Sequence, residues 1–412
     1  MEIDLATAGA LTSIVATGLI SSAFQRASPQ VDTRDFVNGA SNAWNFTGPR
    51  VPYVPRTQLD AKLAARCMGD PPLTIVVGAR GCGKTEVVAN ALKSVPGVVV
   101  VMMQGPLKNP TDLYLLIAEA TQRPNTTPVM FTLADVKEVL EAAHRKAGRL
   151  VQIVIEVETT AERQTVQLAV QTMKILTWDY RCCRAFVVLS DAHGVYSLVN
   201  DARNFYIWIG DFSKEEAHTF FDSLEVLTLP EERQLREQVF TLSTRATELL
   251  GMIVPLLDGR SGEEAVLAFI EKREGVAEEI VCQLADVEPS TTSEGNGFYF
   301  KRLMRDMYLN GGSLGFTAAS KYMVTNKEIS DRLKEQGRHA IMMNPETRQF
   351  VFNSPCEFAE VGKVIRADRS VQRHSNSMNP DIGPIIPVTL TLTATLTLTL
   401  TLTLTLTLTQ SL

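Results

Sequence analysis

One short stretch constrains this chain more than any other. Residues Gly78, Ala79, Arg80, Gly81, Cys82, Gly83, Lys84 and Thr85 follow one another and meet every fixed position of the phosphate-loop pattern G-x-x-x-x-G-K-[ST]. The flanks suit it. Residues 73–77 are an apolar run of strand length, and 86–92 have the pattern of a helix. Glycines let the backbone curl so that successive N–H groups point inward at phosphate oxygens. The helix that follows adds the partial positive charge of its N-terminus. In this pattern Lys84 reaches the β- and γ-phosphates, and the Thr85 hydroxyl holds Mg²⁺. Gly78 to Glu86 is therefore the candidate nucleotide-binding segment, with ATP and Mg²⁺ as its expected ligands.

The rest of the first half alternates strand and helix. Buried strands are expected over 98–103, 151–158, 185–189 and 205–209, with helices over 111–121 and 165–177 and a capped helix after Thr132. Apolar strands alternating with helices predict an α/β fold with a parallel five-stranded sheet. Beyond Gly210 the pattern turns helical. Ser213 and Glu216 form a capping box, and helices are expected over 232–242, 247–257 and 264–284. After a polar linker come helices over 298–309 and 318–323 and a third capped by Thr325 and Glu328. A hairpin then turns at Asn344–Arg348. Helix, helix, helix, hairpin is the order of a winged helix. The expected domains are an apolar N-terminal segment and linker (1–50), a phosphate-loop core (51–212), a helical lid (213–288), a winged helix (296–362) and a low-complexity tail (371–412).

At 412 residues the chain is too long for one ordinary core. A net charge of −6 argues against a protein coated for nucleic acid. Six cysteines without metal-ligand spacing read as reduced thiols of an intracellular protein, in cytoplasm or mitochondrion. The uncharged stretch 5–24 is long enough to cross a bilayer but is diluted by Thr and Ser. The readings that stand for it are membrane association or organelle targeting, and a soluble apolar helix or a disordered leader. From Thr389 to Thr409 threonine and leucine alternate, broken at Ala394. This tail has no assigned function.

A phosphate-loop ATPase needs an acid near the end of a second buried strand for Mg²⁺, and a group that orients the attacking water. Glu156 is the candidate for the metal side and Glu158 for the water side. In an extended strand they share a face, with Val157 between them. Ser190, at the end of the fourth strand, is a candidate γ-phosphate sensor. Arg245, on the lid, is a second sensor candidate.

The order of parts over about 51–362 resembles the archaeal-type P-loop ATPases of the AAA+ and STAND assemblage. Val54-Pro55-Arg56 resembles that family's opening motif, which implies that Arg56 borders the nucleotide base. The loop at 78–85 matches fully. At 153–158 the second acidic motif departs from Asp followed by Glu, and Ser243-Thr244-Arg245-Ala246 lacks the lid's usual Gly-x-Pro. The resemblance also implies strand order 5-1-4-3-2.

Three functions are consistent with these residues: a slow ATPase acting as a conformational switch, an ATP-binding scaffold that hydrolyses little, and a nucleic-acid-binding ATPase steered by the winged helix. From Lys301 to Arg369 there are twelve Lys or Arg against eight Asp or Glu. That balance favours a protein contact, to a partner or to another copy, or an intramolecular clamp on the lid, over a phosphate-reading helix.

Overall fold

The computed structural model describes residues 52–70, 72–103, 105–121, 132–157, 163–190, 203–285, 296–323, 341–352 and 355–367, together with Val37 and Leu198. The expected segments 5–24 and 371–412, Glu158 and the third winged-helix helix lie outside these residues. No helix among the described residues is long and apolar enough to cross a membrane.

The core opens with α1 (Thr57–Met68), followed by β1 (Leu73–Val77), α2 (Lys84–Leu92) and β2 (Val98–Met103). Next come α3 (Pro110–Thr121), α4 (Leu133–Ala147), β3 (Val151–Val157) and α5 (Arg163–Lys174). The core ends with β4 (Cys183–Leu189) and β5 (Phe205–Trp208). The five strands form one parallel sheet in the order β2-β3-β4-β1-β5, which read from the other edge is 5-1-4-3-2. Every residue of β1 is buried, as a central strand covered on both faces requires. Leu63 of α1 and Val87 of α2 pack with Val76, Phe186 and Ile207 beneath the phosphate loop. The capping box at Thr132 and Asp135 forms as expected. The helix expected over 165–177 loosens instead into a π turn at Ile175–Asp179.

The segment expected to form the helical lid, called the lid below, comprises α6 (Lys214–Ser223), α7 (Arg233–Leu242), α8 (Ala246–Leu257) and α9 (Gly262–Ala285). Ser213 and Glu216 cap α6 reciprocally. The lid's own core joins Phe220, Phe221, Phe240, Ile253 and Phe269, and Val54 from the start of the chain's described part packs into it. His218 is taken up structurally, 2.9 Å from Glu237 and edge-on to Phe240.

The last module contains α10 (Asn296–Leu309), β6 (Ser313–Gly315), α11 (Phe316–Met323), β7 (Ile341–Asn344), β8 (Gln349–Phe352) and α12 (Pro355–Ala367). β7 and β8 form the expected hairpin. β6, which is too short to show a period, adds a third antiparallel strand against β8. α12 was also unexpected from sequence. Glu346, on the hairpin turn, accepts from the β5 backbone N–H of Trp208 at 3.0 Å and pairs with Lys62 of α1.

Candidate nucleotide site

The site forms where the C-terminal ends of parallel strands open into loops, the usual ligand crevice of such sheets. Gly78 follows β1, Glu156 lies near the end of β3, Ser190 follows β4 and Gly210 to Phe212 follow β5. Gly78 has no room for a side chain, since an added Cβ would lie 2.1 Å from the Ile209 carbonyl oxygen. Gly83 caps α2 at φ 90°, and no side chain bonds to the cap. The first-turn N–H groups of α2 thus face the loop without a capping competitor, an arrangement suited to an anion.

Lys84 is buried. Its Nζ donates to the carbonyls of Gly78 at 3.0 Å and Ala79 at 2.7 Å. Burial lowers its pKa, partly opposed by Cys82 and Glu156. Cys82 gives its Sγ hydrogen to the Ile209 carbonyl at 3.1 Å, and burial raises its thiol pKa, so it is a structural rather than a reactive cysteine. Burial also raises the Glu156 carboxyl, while Thr85 and Lys84 pull it back. One Glu156 oxygen, Oε1, is buried without a hydrogen-bond partner. Burial likewise raises Glu86, with Glu156 as the second cause.

A cavity of about 350 Å³ opens beside Cys82, Lys84, Thr85 and Glu86. Arg80, Lys84, Thr85, Glu86 and Ser190 line its polar end, together with Gly81, Cys82 and Gly83 of the loop. Tyr53, Val54, Phe212, Phe220 and Leu250 line its apolar end. The cavity therefore offers an apolar slot beside an anion cradle, the composition expected of a small-ligand site. Arg56 also lines it, but its guanidinium is largely committed. It donates to the carbonyls of Gly210 and Asp211 at 3.1 and 3.0 Å, bonds Glu216 at 3.3 Å and lies over the Phe212 ring.

The lid lands directly on the loop. The Thr247 N–H donates to the Gly81 carbonyl at 3.1 Å. Phe212 and Thr244 exchange two bonds, of 3.1 and 2.6 Å, just behind that contact. Arg245 turns away from the cavity and grips Asp211 in a two-pronged pair at 2.9 and 3.0 Å. Burial disfavours its charge, but Asp211 and Glu248 outweigh that and hold its proton more tightly than usual. The lid residues that line the cavity are Ala246, Thr247 and Leu250, not Arg245. Sequence reading missed Phe212, Thr247 and Asp211. Applying the strand-end rule to β5 as well as β4 would have reached Asp211 and Phe212, but nothing local marks Thr247.

Gly81→Ala is expected to separate lid from loop. Gly81 has φ 83°, and its added Cβ would lie 1.9 Å from the Thr247 Oγ1. The left-handed backbone alone costs about 1 kcal/mol or more. Faster amide exchange at Thr247, with the β1–β4 amides unchanged, is the expected result.

No family model and no curated protein matches the chain. Solved structures do. The Walker-type ATPase PABY2304 of Pyrococcus abyssi is 13% identical, with a TM-score of 0.50 over 75% of this chain and 96% of that one. The chain has the fold of the archaeal-type P-loop ATPases. The ORC2 protein of Aeropyrum pernix, solved as ADPNP and ADP complexes, is 15% identical, with a TM-score of 0.42 over 82% of this chain and 99% of that one. The ORC1 protein of the same organism, solved with DNA, is 14% identical, with a TM-score of 0.36 over 78% and 95%. In this fold the loop residues Arg80 to Glu86, Ser190 and the helical residues Ala246, Thr247 and Leu250 line one cavity, and the strand-end acid Glu156 interacts with Thr85 and Lys84 of that loop.

Proposed function

We propose that this chain binds ATP with Mg²⁺ between the parallel sheet and the lid, and works as a nucleotide-driven conformational switch with slow hydrolysis. The observation that carries this reading is the landing of Thr247 on Gly81 at the mouth of a cavity that Lys84, Thr85 and Ser190 share. A phosphate group entering the cradle meets the α2 N-terminus, and Lys84 exchanges its loop carbonyls for phosphate oxygens. A ligand that touches both loop and lid favours the closed pairing of the two, because it binds that state more tightly.

The residues fit Mg²⁺. The Thr85 hydroxyl and the partnerless Oε1 of Glu156 are oxygen donors of the kind Mg²⁺ takes alongside phosphates and water. When bound, the ion would neutralise charge on the phosphates. Glu156 holds the metal side and Glu158 the water side. Ser190 contacts the terminal phosphate. Glu156→Gln is expected to weaken Mg²⁺-dependent binding by about tenfold, the scale of one charge-assisted interaction. Glu158→Gln should slow hydrolysis and spare binding. Calorimetry with and without Mg²⁺, beside single-turnover hydrolysis on the full chain, checks both. If both variants hydrolyse at the wild-type rate, another acid carries the metal and the water.

One observation favours a second reading, a scaffold that binds ATP and hydrolyses little. Val157, where the usual motif places its second acid, is a buried apolar residue. Tight binding without single-turnover hydrolysis would select that reading. For the winged helix, the near balance of charge over 301–369 supports a contact with protein, another copy or the lid. A salt-sensitive shift with duplex DNA would instead favour a nucleic-acid role.

A further inference from the structure

A line of alternating charges runs out of the nucleotide site through three elements. Asp211 accepts from Arg245 at 2.9 Å, and the Arg245 Nη1 lies 3.6 Å from the Glu248 Oε1. The same Oε1 lies 3.1 Å from the Arg273 Nη1 of α9, and the Arg273 Nη2 lies 3.3 Å from the Glu357 Oε1 of α12. Arg245 and Glu357 are almost wholly buried, and the remaining groups are no more than one-fifth exposed. Two cations and three acids thus lie in a low-dielectric path, where a charge left without its partner is costly.

The geometry points to regulation of the nucleotide site from α12. We propose that Arg273 and Glu248 relay the seating of α12 to the lid's grip on the phosphate loop. Glu248 is the hinge of the argument. One of its oxygens faces both arginines, so the carboxylate cannot follow one without loosening the other. It sits in the first turn of α8, directly after Thr247, whose N–H holds Gly81. Arg273 spans the remaining gap, with one guanidinium nitrogen on the lid carboxylate and another on the α12 carboxylate. Burial raises the Glu357 carboxyl and Arg273 opposes it, so the ionised link depends on Arg273 staying in place. Displacing α12, by a partner on the last module or by movement of that module, removes one partner of Arg273 and shifts the charge balance at Glu248. The relay acts by geometry alone. Its consequence for ATP rests on the function proposed above.

The test reads Thr247 directly, by hydrogen exchange on the full chain. Glu357→Gln, close to isosteric, is expected to speed exchange of the Thr247 amide at least threefold. In an Arg273→Met background it should add nothing, because the route is already cut. Arg273→Lys should fall between wild type and Arg273→Met. Exchange that changes only within α12, with Thr247 at the wild-type rate in Glu357→Gln, overturns the relay. So does an effect of Glu357→Gln that persists in full in Arg273→Met. If Arg273→Met does not fold, the single variant Glu357→Gln decides. ATP affinity measured beside it separates the two ideas. A wild-type chain that binds no ATP overturns the proposed function, while the exchange result still judges the relay.

Discussion

Lys84→Ala is expected to raise the dissociation constant for ATP by about 10- to 100-fold, the worth of a charge-assisted hydrogen bond near 1.5–3 kcal/mol. The fold should survive. The Lys84 ammonium is buried against two carbonyls of its own loop, and burial lowers its pKa. The sign of the linkage follows from that direction. The unfolded chain holds the lysine proton more tightly than the folded one, so the ionised group subtracts stability at neutral pH. Stability is recovered as pH rises from the lowered value towards the ordinary lysine value. Lys84→Ala should lack this gain, and its melting temperature relative to wild type should fall as pH rises towards the ordinary lysine value. Calorimetry measures the first effect and a pH series of thermal melts the second. Unchanged affinity in a folded variant would remove Lys84, and with it the loop, from nucleotide binding.

Arg245→Ala is expected to be the most damaging single change to stability, at about 3–5 kcal/mol. It strips Asp211 of its two-pronged partner and deprives the half-buried Glu248 of one cation. The Asp211 backbone sits under Arg56 at the cavity wall, so the loss should reach the site as well as the fold. Arg245→Lys keeps the charge but loses the planar fork, and should recover only part of the loss. The double variant Arg245→Ala with Asp211→Ala should be more stable than Arg245→Ala alone, because no carboxylate is then left without its cation. Chemical denaturation of the three variants checks the order. A loss below about 1 kcal/mol in Arg245→Ala would mean that water replaces the guanidinium at little cost.

Several elements were legible because a local rule specifies them. Ser213 and Glu216 cap a helix through atoms three residues apart, and the structure forms both bonds. The apolar runs at 73–77 and 98–103 could hide their side chains only in a sheet covered on both faces. Other elements obey no local rule. β6 is three residues long and exists because β8 offers it an edge. The π turn at Ile175–Asp179 interrupts a sequence whose helical period continues through it. α12 has a helical pattern like many surface segments, and its Glu357 matters through a contact with Arg273, 84 residues away.

The sequence by itself determined the phosphate loop, because eight consecutive residues carry both its backbone freedom and its charges. It also determined the parallel sheet, because strand period and apolar content leave few other ways to bury those segments. Only the tertiary structure decided what faces the loop. Arg245 is a sensor candidate by position, yet Asp211, brought beside it by the clasp between Phe212 and Thr244, holds its guanidinium away from the cavity. Thr247 became the lid's contact because Gly81, lacking a side chain, lets a helix end approach within hydrogen-bond distance of its carbonyl. Such choices depend on which charges meet across distant segments once water is excluded, and no window of sequence contains both partners.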